Sequence, residues 1–270
     1  MRKILKMPVT VLCLIVFTLV SPGAHAGDVS SGKSKWELHV IPYFWMAGIN
    51  GDSTVKGIDS KVDATFGDIW NNLDFAGQLY MEARKDRWGL FLDPTYLKLS
   101  SDAHVDRPII GRINADLTVK EWLVEFGGFY HLAKWPLGTS EKGALSVDAL
   151  GGGRYWNVDM ELNLDVPLVG LGRRFEESED WIDPFVGLRL RADLTKKLSL
   201  VLRGDVGGFG VSSDFTWSAS GLLGYSFSDL ISVWAGYRGL GVDYESGSGS
   251  SRFNYDVTMH GPIVGLGFHF

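Results

Sequence analysis

An all-β chain, wound into a closed ten-stranded antiparallel up-and-down transmembrane β-barrel, is the fold class this sequence predicts. Three observations lead there. In the last stretch Val264, Leu266, Phe268 and Phe270 are apolar at period two, with Gly265, Gly267 and His269 between them. That alternation describes a strand with one greasy face and one face of small or polar residues. The same alternation recurs along the chain in ten strand-like segments, an even number as a single-chain barrel requires, with eight or twelve as alternative counts. After residue 26 no stretch approaches the ~20 apolar residues of a helical membrane span. A membrane passage therefore has to be made by a closed barrel, the other structure that satisfies every backbone group in lipid.

The start of the chain supports export. Arg2, Lys3 and Lys6 precede a short apolar run over residues 9–20, and Ala24-His25-Ala26 offers small residues at the two cleavage-determining positions. This is a secretory signal peptide over residues 1–26, leaving a single barrel domain over 27–270. Cys13, the only cysteine, lies inside the signal and follows Leu12, too large for a lipoprotein site. Disulfides, cysteine nucleophiles and thiolate metal sites are thereby excluded from the mature chain. Without the signal, 23 basic side chains face 32 acidic ones, a formal charge of −9. An acidic exported chain is a poor nucleic-acid binder. Aromatics at 13% and 34 glycines suit a barrel, where rings form interfacial girdles and glycines relieve crowding. The final segment, Val264, Leu266, Phe268 and Phe270, also resembles the C-terminal strand of bacterial outer-membrane barrels, which ends in Phe and is read by the barrel assembly machinery.

In chain order, the first strand covers residues 36–47, with Trp36, Leu38, Val40, Pro42, Phe44 and Met46 on one face and Glu37, His39, Tyr43 and Trp45 on the other. A long loop, 48–74, carries Phe66, Ile69, Trp70 and Leu73 at helical spacing. Asp63 or Thr65 can cap that helix and Asp68 sits in its first turn. A short amphipathic helix against the barrel mouth is expected, for packing. The second strand, 75–85, turns at Asp86-Arg87 into a third that places Trp88, Leu90, Leu92 and Tyr96 outward and Asp93 and Thr95 inward. A polar loop is expected over 100–112. In the fourth strand, 113–133, the alternation inverts near Lys120-Glu121, which predicts a bulge or a strand that projects beyond the membrane. The fifth, 144–162, inverts again after Gly151-Gly152-Gly153, and the acidic stretch 164–180 reads as a loop without core potential. Strands six to ten follow with tight turns at 195–197 and 228–229, a short link at 210–213 and a Gly/Ser-rich loop at 245–252. Tight turns on one side and long polar loops on the other is the asymmetry of a bacterial barrel with both termini periplasmic.

The inferred lumen face carries Glu82, Arg84, Asp148, Arg154, Arg189, Arg191, Arg203, Asp205 and Arg238. Charges of both signs in a narrow barrel either pair and block flow or line a narrow polar pore with a field across it. Ten strands enclose little space, and Tyr43, Trp45, Tyr80, Phe91 and Trp156 are bulky, which favours the paired plug. Ten strands also resembles the outer-membrane omptin proteases, whose Asp and His residues at the extracellular rim activate water. Asp102, His104 and Asp106, with Asp256 and His260, are the rim candidates, but their spacing lacks the adjacent Asp-Asp and Asp-His pairs of that family. A lipid A deacylase site on the lipid-facing wall has no matching Ser-His pair. No His/Asp/Glu cluster has metal-ligand spacing, so no metal and no cofactor is expected.

From Trp36 to Phe270 the chain, above all Pro42-Tyr43-Phe44-Trp45, Gly48-Ile49-Asn50-Gly51 and Phe66-Gly67-Asp68-Ile69, resembles a widespread group of uncharacterised proteobacterial outer-membrane β-barrel proteins. The resemblance implies a fold and an outer-membrane location and no chemistry. The expected role is a structural barrel or narrow passive pore for small solutes. The rival is a hydrolase at the extracellular rim, and a soluble periplasmic β-protein comes third. The expected partners are outer-membrane lipid, lipopolysaccharide and the assembly machinery, with no nucleic acid.

Overall fold

The computed structural model describes residues 35–107, 111–137, 143–166 and 171–270. The predicted signal peptide and cleavage site, with Cys13, lie outside the described residues. In chain order the elements are β1 (Glu37–Trp45), β2 (Gly48–Val55), β3 (Ile58–Ala64), α1 (Phe66–Asn71), β4 (Leu73–Lys85), β5 (Trp88–Arg107) and β6 (Gly111–Pro136). Then come β7 (Ala144–Val166), β8 (Leu171–Asp193), β9 (Leu198–Gly208), β10 (Phe215–Ser226), β11 (Ile231–Ser246) and β12 (Phe253–His269). The ring runs β1, then β4 to β12 in sequence, each strand antiparallel to the next. It closes where β12 returns to β1, with His39 opposite His269 and Trp45 opposite Ile263. Ten strands make the ring, and β2 and β3 are additional.

Strand alternation sets the outer wall. Trp88 lies against Tyr130 at 4.6 Å, and Tyr96 against Trp122 at 4.6 Å, forming two aromatic levels on β5 and β6. Between them the outward residues are Leu90, Leu92, Val124 and Phe126. Elsewhere Val186, Leu188, Leu190, Leu202, Leu223, Val264 and Leu266 continue the exposed apolar belt. Trp88 to Tyr96 is a rise of roughly 27 Å along the strand. At the usual tilt that stands about 21 Å tall, close to the band of an outer-membrane barrel.

Strands β6, β7 and β8 have 26, 23 and 23 residues, about twice the ~10 needed to cross. The stretches 100–112 and 164–180, expected as loops, are therefore mostly strand. Gly111 faces Arg107 and Leu171 faces Val166 across hairpin tips that project beyond the outer aromatic level. Their alternation is illegible because water reaches the outer face there and polar residues suit it.

The same change of surroundings accounts for both predicted slips. The ladder is unbroken at Lys120-Glu121, where Lys98 faces Lys120 and Leu97 faces Glu121. It is unbroken after the glycine run as well, Gly152 facing Gly127 and Arg154 facing Glu125. Arg154, Trp156 and Val158 are all inward and at most 1% exposed. The backbone does not slip. Below the outer aromatic level the wall is greasy outside and polar inside; above it, an apolar core lies inside and water outside. The β6–β7 ladder has its irregularity between His131 and Ala133 instead.

The first long loop also differs from expectation. It contains the β2–β3 hairpin, and β2 continues the line of β1 along β12, Gly48 facing His260 and Thr54 facing Asn254. Helix α1 follows, capped by Thr65: its hydroxyl accepts from the Asp68 N–H at 3.3 Å, and the Asp68 carboxylate accepts the Thr65 N–H at 2.9 Å. Phe66 and Trp70 pack on Phe44 at ring separations of 6.0 and 5.8 Å. Phe44 faces outward, so α1 sits on the outer wall rather than across the mouth. It covers the seam where β1 stops pairing with β4 beyond Pro42 and Leu79. There the Gln78 side chain accepts the Trp45 N–H at 2.6 Å, replacing a lost ladder bond.

Inward glycines let β6 and β7 approach closely. A Cβ on Gly152 would stand 2.0 Å from the Phe126 carbonyl oxygen, a backbone atom that cannot move aside. We predict that Gly152→Val abolishes the heat-modifiable folded band on unboiled gels, whereas Gly204→Ala, beside which nothing lies within 4 Å, retains it.

Candidate functional site

The candidate site is the lumen. Tilted strands and strict alternation aim the inward residues of ten strands at one another across a narrow ring. In the middle layer Arg154 of β7 donates from Nε to Glu125 at 2.7 Å, from Nη1 to Thr216 at 2.7 Å and from Nη2 to Asp205 at 2.7 Å. Arg238 of β11 crosses to Glu125 at 2.9 Å and to Asp93 at 3.1 Å. Tyr43 donates its hydroxyl proton to the other Asp93 oxygen at 2.6 Å. Arg203 pairs with Asp205 at 3.0 Å and with Glu125 at 3.4 Å. Glu125 is thus shared by three guanidinium groups.

Nearer the tight turns lies a second layer. Arg189 pairs with Glu82 and, at 2.8 Å, with Asp148. Tyr80 donates to Glu82 at 2.6 Å, and Arg84 approaches Asp148 at 3.5 Å. His131 Nδ1 also meets Asp148, at 2.9 Å. At the ring's closing seam His39 and His269 join through their Nδ1 atoms at 2.6 Å, and His269 Nε2 meets the Ser232 hydroxyl at 2.7 Å.

Aromatic rings separate these charges. Arg189 lies over Phe129 at 4.2 Å, Arg154 over Phe185 at 5.1 Å, Arg203 over Phe91 at 5.2 Å and Arg238 over Trp45 at 5.0 Å. Each stack gives a guanidinium plane an apolar neighbour that still attracts it. Toward the projecting hairpins the lumen becomes an apolar core. Trp181 stacks on Tyr244 at 4.0 Å and 3°, and Trp156 on Trp181 at 5.6 Å and 11°. Phe253, Tyr255, Val158, Val242 and Val257 pack around them, none more than 4% exposed. Asp183, fully buried beneath this core, accepts from the Ser213 N–H at 2.8 Å, the Ser213 hydroxyl at 2.6 Å and Trp181 Nε1 at 3.1 Å.

The structure places Glu82, Arg84, Asp148, Arg154, Arg189, Arg191, Arg203, Asp205 and Arg238 on the lumen side. All but Arg191 join ion pairs among the described residues. Sequence reasoning missed Glu125, the most shared carboxylate, and Asp183. The signal for Glu125 was present, since it breaks the outward series Trp122, Val124, Phe126 at inward phase. No sequence signal marks Asp183, because its partners are a serine and an indole rather than an opposite charge.

The rim candidates do not assemble. His260 faces outward, and its Nδ1 meets the Tyr237 hydroxyl at 2.6 Å; Asp256 is exposed across from Asp52 and Asp243. Asp102 is exposed, while the side chains of His104 and Asp106 lie outside the described residues. Among the described residues no group of three or more His, Cys, Asp or Glu side chains could hold a metal ion. Val264, Leu266 and Phe270 are exposed on the outer wall and Phe268 is half-buried there. Phe270 completes the seam through backbone bonds with Leu38 at 2.9 and 3.0 Å.

The chain matches no protein-family model and no curated protein. The resemblance to the proteobacterial group therefore rests on the sequence motifs alone. Solved structures similar to the chain are bacterial outer-membrane barrels. The outer membrane protease OmpT from Escherichia coli is 9% identical at a TM-score of 0.48, over 90% of this chain and 99% of that one. The attachment invasion locus protein Ail of Yersinia pestis is 12% identical at 0.32, over 88% and 100%. Neisserial surface protein A is 11% identical at 0.31, over 87% and 97%. At these values no residue correspondence and no role passes to this chain.

Removing one partner from a buried ion pair leaves an uncompensated charge. Arg154→Met should therefore cost about 3–5 kcal/mol of stability, measured by urea unfolding in lipid vesicles. Adding Asp205→Leu should recover part of the loss, because Arg203 and Arg238 still satisfy Glu125.

Proposed function

We propose that this chain is a passive barrel of the bacterial outer membrane whose interior is closed to flow, a structural element rather than a pore or an enzyme. The single observation that carries this reading is the sequence of filled layers in the lumen: the guanidinium–carboxylate network around Arg154 and, above it, the Trp156–Trp181–Tyr244 stack. An ion entering from the hairpin side would have to displace a buried aromatic core before reaching the Arg154 network. Water-filled pores keep their polar residues hydrated; here each guanidinium of the middle layer is spent on a neighbouring carboxylate. The exposed apolar belt between the aromatic levels supports a lipid environment. In that environment lipid and lipopolysaccharide are the neighbours of the outer wall. Val264, Leu266, Phe268 and Phe270 are the row available to the assembly machinery. The rim-hydrolase reading loses ground because His260 is turned outward onto Tyr237, away from any carboxylate partner among the described residues.

In planar bilayers the protein should insert without resolved unitary conductance steps. The triple variant Arg154→Ala, Trp156→Ala, Trp181→Ala should conduct. Regular unitary steps from the unaltered protein would establish a pore instead.

A further inference from the structure

The lumen is not filled throughout. Between the Arg154 layer and the tight-turn end lies a cavity of about 120 Å³ to which all ten ring strands contribute. Its position follows from its lining. Leu150, Arg191, Val201 and Leu222 lie nearer the tight turns than Arg154, Asp183, Asp205 and Thr216 on the same strands. Its volume is somewhat below that of an engineered apolar cavity of ~150 Å³ that takes up benzene.

The charges that face it do not cancel. Two carboxylates line it, and each is already engaged: Glu82 by Arg189 and Tyr80, Asp93 by Arg238 and Tyr43. Arg191 also lines it, and among the described residues its side chain makes no ion pair or hydrogen bond; its backbone lies in the β7–β8–β9 ladder, where Ser146 also donates to its carbonyl. A second guanidinium nitrogen, Nη2 of Arg203, is buried without a hydrogen-bond partner despite its ion pair with Asp205. Most of the remaining wall is apolar, with Ile41, Leu222 and Trp234 on the side away from the network and two serine hydroxyls, Ser218 and Ser220, beside them. A lone guanidinium in a polar, wet vestibule would need no explanation. Arg191 is half-buried, yet it opens onto a small, mostly apolar chamber whose two carboxylates are already engaged, so among the described residues it is the group there placed to meet an incoming anion.

We propose that this cavity binds a small organic carboxylate with an apolar body, about the size of benzoate. Its carboxylate would lie on Arg191 and its body against Ile41, Leu222 and Trp234. A guanidinium matches a carboxylate bidentately. An inorganic oxyanion satisfies Arg191 equally well but leaves the apolar walls unmatched, and a neutral ring does the reverse. The site is a dead end beneath the closed layers, so it serves capture from the tight-turn side rather than passage. That placement rests on the closed-barrel reading, whereas the binding itself does not.

The test is calorimetric titration of the folded protein in detergent with sodium benzoate, sodium sulfate and benzyl alcohol. Benzoate should bind at one site, with sulfate and benzyl alcohol each weaker by at least about tenfold, which is 1.4 kcal/mol. Arg191→Gln, whose side chain leaves no partner stranded, should weaken benzoate by a similar factor and keep the heat-modifiable band. Ser220→Trp, which fills the cavity and spares Arg191, should also abolish benzoate binding. Absent benzoate binding, sulfate binding as tight as benzoate, or unchanged affinity in Arg191→Gln would each overturn the proposal. None of these outcomes alters the bilayer conductance, which tests the closed barrel separately.

Discussion

A charge on the inner face of a narrow barrel has lipid behind its strand and little water in front of it, so it must find its opposite across the ring. Most of the charged network inside this protein follows from that constraint. Glu125 is met by Arg154 from the next strand, by Arg203 from three strands away and by Arg238 from five. Arg189 reaches from β8 to Glu82 on β4. The longer of these pairs brace parts of the ring that share no backbone hydrogen bonds. A backbone ladder holds neighbours together, and the arginines hold the cross-section. Their reach also sets what the lumen can admit, because a braced cross-section is an obstructed one.

The second organising fact is that the chain lives in two media along one strand. In β6 the outward residues run Trp122, Val124, Phe126 where hydrocarbon is the solvent, and Lys120 and Thr118 where water is. Inside, the order is opposite: Glu125 and Arg154 lie within the belt and Leu123, Trp156 and Val158 at and beyond its outer level. Lipid lets the interior be polar, because the apolar burial that stabilises a soluble protein is supplied by the bilayer outside. Once the hairpins rise into water they must carry a conventional core, and the aromatic stack is that core. The filling of the lumen is thus the joint result of two solvents, each demanding a different one.

This explains how much could be read from residues alone. Period-two alternation located the ten ring strands, the tight turns at Asp86 and at 195–197, and the inward phase of the charged residues, because within the belt one face is uniformly greasy. Phe66, Ile69 and Trp70 at helical spacing located α1, while the choice of cap between Asp63 and Thr65 falls to Thr65 only in the structure. Where both faces are exposed, as over residues 172–176, alternation vanishes and a strand resembles a loop. The inversions at Lys120-Glu121 and after Gly153 read as slips because a sequence pattern reports the change of phase and not which medium changed. Pairing across the ring was not legible at all. Which arginine meets Glu125 depends on tilt and on the packing of Phe91, Phe129 and Phe185, and Arg191 stands out only once the other inward guanidinium groups have been matched.

The central claim is that the lumen is sealed above the Arg154 layer, and side-specific thiol labelling tests it most directly. On a Cys13→Ser background, Ser220→Cys places a thiol in the lumen below that layer, in oriented proteoliposomes treated with a charged, membrane-impermeant maleimide. The account predicts modification from the tight-turn side alone; modification at a comparable rate from the side of the projecting hairpins would contradict it.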